Sequence, residues 1–151
     1  MTKESLSSPY KPVFRETFTS AETVRKNGGA ITGVTFDNGV ATFNGSTSVI
    51  NYGNKFVLPG LSSFSIRVKF KTGNNITSAT RLFYEDITLG GTSNFTTTLL
   101  ILSGNMNFGL VTTSGSKTVT YTLAINTFYD MTFVYDGANM RIYNNYTDVS
   151  N

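Results

Sequence analysis

Apolar and polar residues alternate along Phe64-Ser-Ile-Arg-Val-Lys-Phe-Lys71, which sets Phe64, Ile66, Val68 and Phe70 on one side and Ser65, Arg67, Lys69 and Lys71 on the other. A period of two belongs to a β-strand with one face in a core and one in water. Lysines on the wet face also discourage unwanted edge pairing. Shorter segments of the same kind recur along the chain, separated by turn signals roughly every 8–15 residues. They predict strands over Phe14–Phe18, Gly33–Phe36, Val40–Phe43, Ser48–Tyr52, Phe64–Thr72, Thr80–Tyr84, Thr97–Leu102, Met106–Thr112, Thr118–Leu123, Tyr129–Tyr135 and Met140–Tyr143. Asp37-Asn38-Gly39 and Asp136-Gly137 carry the residues that tolerate positive φ in tight hairpins. Ser20–Lys26 is the one helix candidate, with Ser20 as cap and Glu22 in the first turn. Residues 1–12 read as a polar leader, with Pro9 and Pro12 discouraging regular structure, and residues 13–151 as one domain.

Composition agrees with the pattern. Phe (12) and Tyr (8) are abundant, Trp, Cys and His are absent, and Thr, Ser, Asn and Gly fill much of the rest. Aromatic and β-branched residues suit a pleated, half-buried surface, and Gly and Asn suit the turns. The expected fold is an all-β antiparallel sandwich. The formal charge of +3 comes from scattered Lys and Arg, with no run resembling a nucleic-acid arm, so neither nucleic acid nor another polyanion is expected as partner. Met1 to Tyr10 lacks the apolar centre of a signal peptide, and no stretch approaches the ~20 apolar residues needed to span a bilayer.

Two segments carry a resemblance. The first is Val40-Ala-Thr-Phe-Asn-Gly-Ser-Thr-Ser-Val-Ile-Asn-Tyr52 followed by Phe64–Lys71; the second is Phe128-Tyr-Asp-Met-Thr-Phe-Val-Tyr-Asp-Gly-Ala-Asn-Met-Arg-Ile-Tyr143. In order and spacing they resemble the laminin-G-like jelly rolls of the concanavalin-A-like lectin and glucanase superfamily. Lys69 and Phe128 stand where that family often has Trp. The resemblance implies a jelly-roll sandwich and a carbohydrate-binding or adhesion role, at the cell exterior or on a virion surface. It also implies closing strands beyond Tyr143. Either Tyr146–Val149 forms an abbreviated one, or a second polypeptide completes the open edge by strand addition.

The missing residue types narrow the chemistry. Without His or Cys there is no Ser-His or Cys-His nucleophile pair and no zinc site of the usual kind. Leu89-Gly-Gly-Thr92 lacks the Lys and helix of a phosphate loop and reads as a turn. A glycosidase needs two carboxylates about 5–10 Å apart. Glu85 and Asp86 are adjacent, so a strand points them apart, leaving only a pairing of one of them with Asp130 or Asp136. Calcium is the cofactor to consider, at Asp136 or at Asp86 with carbonyls near Asn94, although a hairpin turn by itself accounts fully for Asp136-Gly137 and is the favoured reading there. For a glycan, aromatic faces and polar readers are required. Tyr52, Tyr84, Tyr121 and Tyr143 are the candidate faces, and Asn74, Asn75, Asn105 and Asn107 the candidate readers. Asn44, Asn75, Asn94 and Asn145 open Asn-X-Ser/Thr sequences, which bear glycans only in a protein secreted by a eukaryote. The expectation is a non-catalytic glycan-binding module; the alternatives are an assembly component of a viral or phage particle and, after that, a glycoside hydrolase.

Overall fold

The computed structural model describes residues 14–53, 58, 63–89, 92–112 and 115–150, with side chains at all of these except 86–89 and 92–95. The expected leader (1–12), Gly90-Gly91 and the side chains of Asp86 and Asn94 lie outside the described set. The chain forms two compact units, Met1–Gly53 and Asn54–Asn151.

The first unit holds α1 (Ala21–Lys26) and four short strands, β1 (Ala30–Thr32), β2 (Thr35–Asp37), β3 (Val40–Thr42) and β4 (Val49–Asn51), paired β1 with β4 and β2 with β3. Ser20 caps the helix as expected, its hydroxyl accepting from Thr23 N at 3.2 Å. Val24 is fully buried, and a Cβ on Gly29 would come within 2.6 Å of it, so only glycine lets the chain pass there. Asn38 and Gly39 take φ of 47° and 76°, the left-handed turn the sequence signalled. Phe14–Phe18, expected as a strand, is not one. Glu16 Oε1 accepts the amides of Thr17 (2.9 Å) and Phe18 (3.1 Å), and Phe18 turns to φ 54°. A side chain that captures neighbouring amides takes them from any ladder. Glu16 Oε2 also accepts from Asn27 Nδ2 (2.9 Å) and the Tyr52 hydroxyl (3.0 Å). Despite the counteracting effect of burial, these bonds hold the Glu16 carboxyl below its ordinary pKa, while burial and Glu16 push the Tyr52 phenol up.

The second unit is an antiparallel β-sandwich. One sheet has the order β12-β11-β10-β5 and the other β6-β7-β8-β9, from β5 (Phe64–Lys71), β6 (Thr80–Leu89), β7 (Thr92–Leu102), β8 (Asn105–Thr112), β9 (Gly115–Thr122), β10 (Phe128–Tyr135), β11 (Met140–Asn144) and β12 (Thr147–Asp148). The chain changes sheet between β5 and β6 and again between β9 and β10. Between the sheets lie Leu99, Ile101, Met106, Phe108, Met131, Phe133 and Ile142, flanked by Phe64, Ile66, Val68 and Phe70. Phe108 meets Phe133 edge-on at 5.6 Å and Phe64 at 6.3 Å, a favoured aromatic geometry. Each such side chain, fully buried, contributes about 1.5–3 kcal/mol. The alternation read from β5 holds along its length, and Thr72 at its end ties it to the β9–β10 connection, donating to Ala124 O at 2.8 Å.

The tail forms the abbreviated strand: β12 pairs Tyr143 with Asp148 and Asn144 with Thr147, and Val149 N donates to Ile142 O at 2.8 Å. Among the described residues no helix is long and apolar enough to cross a membrane.

Candidate binding site

The register of β5 on β10 sets Arg67 opposite Thr132 and Ser65 opposite Val134, while β11 sets Tyr143 beside Thr132 on the other flank. All these side chains lie on the solvent face of their sheet, because their neighbours in sequence fill the core. Small residues along β10 thus form a floor, with Arg67 on one side and Tyr143 on the other. Tyr146, in the turn between β11 and β12, completes a shallow open groove of about 500 Å³ lined by Ser65, Arg67, Thr132, Val134, Tyr143 and Tyr146. That volume lies in the range of small-ligand sites.

Tyr146 is exposed (77%) but held. Arg67 Nη2 donates to its hydroxyl at 2.8 Å, and the guanidinium sits 5.1 Å from its ring centroid. Arg67 is itself fixed by a two-pronged bond to Asp130, Nε to Oδ1 at 2.7 Å and Nη2 to Oδ2 at 2.6 Å, with Lys69 Nζ 3.3 Å from Oδ2. Asn145 N donates to Asp130 O at 3.0 Å and pins the turn to β10. Asn145 and Tyr146 have φ of 47° and 67°. A left-handed tyrosine costs about 1–2 kcal/mol, and such strain concentrates at ligand sites. The Arg67 and Lys69 bonds hold the Asp130 carboxyl below its ordinary pKa, and Asp130 in turn raises that of Arg67. Arg141, next along the face, is held in its charged form by the Tyr143 hydroxyl and by Asp148, 3.8 Å away.

Of the residues expected from sequence, Tyr143 alone lines this groove. Tyr84 is exposed on β6 of the other sheet, with Arg81 5.4 Å above its ring. Asn105 and Asn107 lie on β8, and their amides serve the protein: Asn105 Nδ2 donates to Ser103 O and its Oδ1 accepts from Thr122 Oγ1, while Asn107 Nδ2 donates to Leu100 O and Asn105 O. Asn74 is exposed in the β5–β6 loop; Asn75 Oδ1 accepts Thr77 N at 3.0 Å and Thr77 Oγ1 at 2.8 Å, an internal turn bond. Tyr121 points inward against Tyr129 at 6.4 Å, and Tyr52 belongs to the first unit. The eight residues expected to bind therefore spread over both sheets and one loop of the second unit and, with Tyr52, into the first unit.

The candidate acids are also dispersed. Asp136 Oδ1 accepts Ala138 N (2.9 Å) and Asn139 N (2.7 Å), bonds that build the turn and lower its pKa. Glu85 accepts Leu58 N at 3.2 Å and 3.3 Å, and burial raises its pKa. It is in register with buried Thr97, whereas Asp130 faces outward from the other sheet. Among the described residues no three His, Cys, Asp or Glu side chains gather as a metal site.

Tyr146, Arg67 and Thr132 were not singled out from sequence. The outward set of β5 was readable there, but its placement opposite Thr132 depends on a pairing made far along the chain.

Fold and groove together define a class: an antiparallel β-sandwich bearing an aromatic and basic groove on one outer face. No family model matches the chain, and neither a curated protein nor a solved structure matches it.

Proposed function

We propose that the protein is a non-catalytic carbohydrate-binding or adhesion module of the laminin-G-like kind, acting at a cell exterior or virion surface, with its ligand along the Tyr143–Tyr146 groove. The observation that carries this is the exposed Tyr146 ring, held in a strained turn and oriented by Arg67. A fixed aromatic wall beside donors and hydroxyls is what a sugar's apolar face and hydroxyls require. Two of the three segments that suggested the jelly-roll relation, Phe64–Lys71 and Phe128–Tyr143, are neighbours in one sheet and support it, while Val40–Tyr52 belongs to the first unit. A glycan array tests the proposal. Binding should fall about tenfold in Tyr146→Ala, a loss near 1.4 kcal/mol, and stay unchanged in Thr120→Ala on the opposite sheet. Equal loss in both variants, or no binding to any glycan, sinks it.

One observation favours a second reading, an assembly component of a viral or phage particle. In the first unit Val40 (60%), Phe43 (48%) and Val49 (48%) are exposed, as at surfaces awaiting a protein partner. Light scattering after size exclusion separates the two. A defined oligomer broken by Phe43→Ser favours assembly through the first unit, whereas one that survives Phe43→Ser points to completion of a sheet edge at β5 or β12 by a second polypeptide. A monomer that binds glycan favours the first reading.

A further inference from the structure

The two outer faces of the sandwich differ in charge. On the groove face, β5 and β11 supply Arg67, Lys69, Lys71 and Arg141, against the carboxylates of Asp130 and Asp148. On the other sheet β7, β8 and β9 show hydroxyl, amide and aliphatic side chains outward, and Arg81 of β6 is the cation among its described outward residues. Four of the twelve Lys and Arg of the sequence thus share the face that carries the groove.

Two of these cations keep unspent capacity. Lys71 has no carboxylate partner among the described residues; its ammonium stands 5.2 Å from the ring centroid of Phe128, itself 77% exposed. Arg67 meets Asp130 through Nε and Nη2, and among the described residues no acceptor meets Nη1. A guanidinium fixed on one edge offers its other edge ready-oriented to a carboxylate or sulfate oxygen. Lys69 is mostly exposed (71%) and Arg141 half-exposed (49%), which places solvent-facing positive charge beside the groove.

From this charge complementarity we infer that the glycan bound in the groove is acidic. Its sugar rings lie against Tyr143 and Tyr146, and its carboxylate or sulfate groups are met by Arg67 and flanked by Lys69, Lys71 and Arg141. The inference rests on the carbohydrate reading above and narrows it to one ligand class. The same face binds neutral polysaccharide more weakly, and attraction to it weakens with salt as exposed charges are screened.

The test uses two charged polymers, each against a neutral counterpart: polygalacturonate with its carboxyl-reduced form, and dextran sulfate with dextran. Binding is measured by calorimetry on the full chain at low and high salt. At least one acidic polymer should bind about tenfold more tightly than its neutral partner, a difference that shrinks toward 0.5 M salt. Which of the two it is identifies the acid as carboxylate or sulfate. Lys71→Gln should weaken binding and Lys71→Glu should weaken it further, a graded response that altered folding does not produce. Equal, salt-insensitive binding of a neutral polymer and its acidic partner overturns this inference and leaves the carbohydrate reading standing. No binding of any polymer overturns both. Single-stranded DNA binding as tightly as the acidic polymers also overturns it, because the face would then read charge alone.

Discussion

The two outer faces of the second unit are supported by one core and solve the same problem, wetting a sheet, in opposite ways. The face over β7, β8 and β9 does so with short hydroxyl and amide side chains, and several of them spend their hydrogen bonds on the protein: Asn105 on Ser103 and Thr122, Asn107 on Leu100. It packs closely enough that Gly109 has no room for a Cβ, which would come within 2.9 Å of Thr98 Cγ2. The face over β5, β10 and β11 carries long charged and aromatic side chains around a floor of Ser65, Thr132 and Val134. One face turns several of its polar groups back onto the protein; the other keeps donors and rings turned outward. The second is the face on which the proposed ligand site lies.

Removing the shared foundation has the largest expected effect. Phe108→Ala, beneath both faces, should cost about 3–5 kcal/mol in urea unfolding. A cost below that of a surface change would mean that the two sheets do not share a core. On the hydroxyl face, Gly109→Ala should destabilise by about 1–3 kcal/mol through overpacking. Thr98→Ser, which removes the obstructing methyl, should restore much of this in a double-mutant cycle, whereas additive costs would locate the strain elsewhere. Beneath the same face, fully buried Thr97 has an Oγ1 with no partner among the described residues. Thr97→Val should therefore stabilise by about 1 kcal/mol, as removal of an unpaired buried polar group does; a lower urea midpoint would show that the hydroxyl is satisfied.

The smallest expected effect is on the charged face. Asp130→Asn should cost only about 0.2–1 kcal/mol, since its partners are solvent-screened, and the difference should fade in high salt. Its pH dependence has a definite sign. The folded carboxyl titrates below the unfolded one, so the contribution is complete above the unfolded value of 3.8 and is lost as pH falls through the lower folded value. Urea midpoints of wild type and Asp130→Asn should differ at pH 7 and converge toward pH 2. A gap that widens on acidification would contradict the assigned bonds.

Much of the second unit was legible along the chain because its signals are local. Alternation in Phe64–Lys71 reports a face without reference to any partner, and Asn38-Gly39 encodes its own turn. Strands β6 and β7 run to Leu89 and begin at Thr92, beyond the expected Tyr84 and Thr97, because ladder pairing extends through polar residues that show no alternation. Phe14–Phe18 failed as a strand for the opposite reason: one side chain, Glu16, outcompeted the ladder. Tyr143 was found as an aromatic on a strand, but Arg67 and Asp130 are 63 residues apart, and no local pattern states that they meet. Tyr146 was hidden by its left-handed backbone, a conformation that a tyrosine does not advertise.

The pairing of β5 with β10 has a kinetic consequence. Strands β6 to β9 follow one another as hairpins and need only short loop closures, whereas β5 must wait until all four, and then β10, have emerged. The meander should therefore acquire protection first, with the amides of Leu99 and Phe108 slowing in pulsed hydrogen exchange before those of Met131 and Phe133. The groove is assembled from β5, β10 and β11 together, so it comes into being with the last closure. An early intermediate would own the hydroxyl face and be blind to ligand, which makes ligand capture a stopwatch for the final folding step.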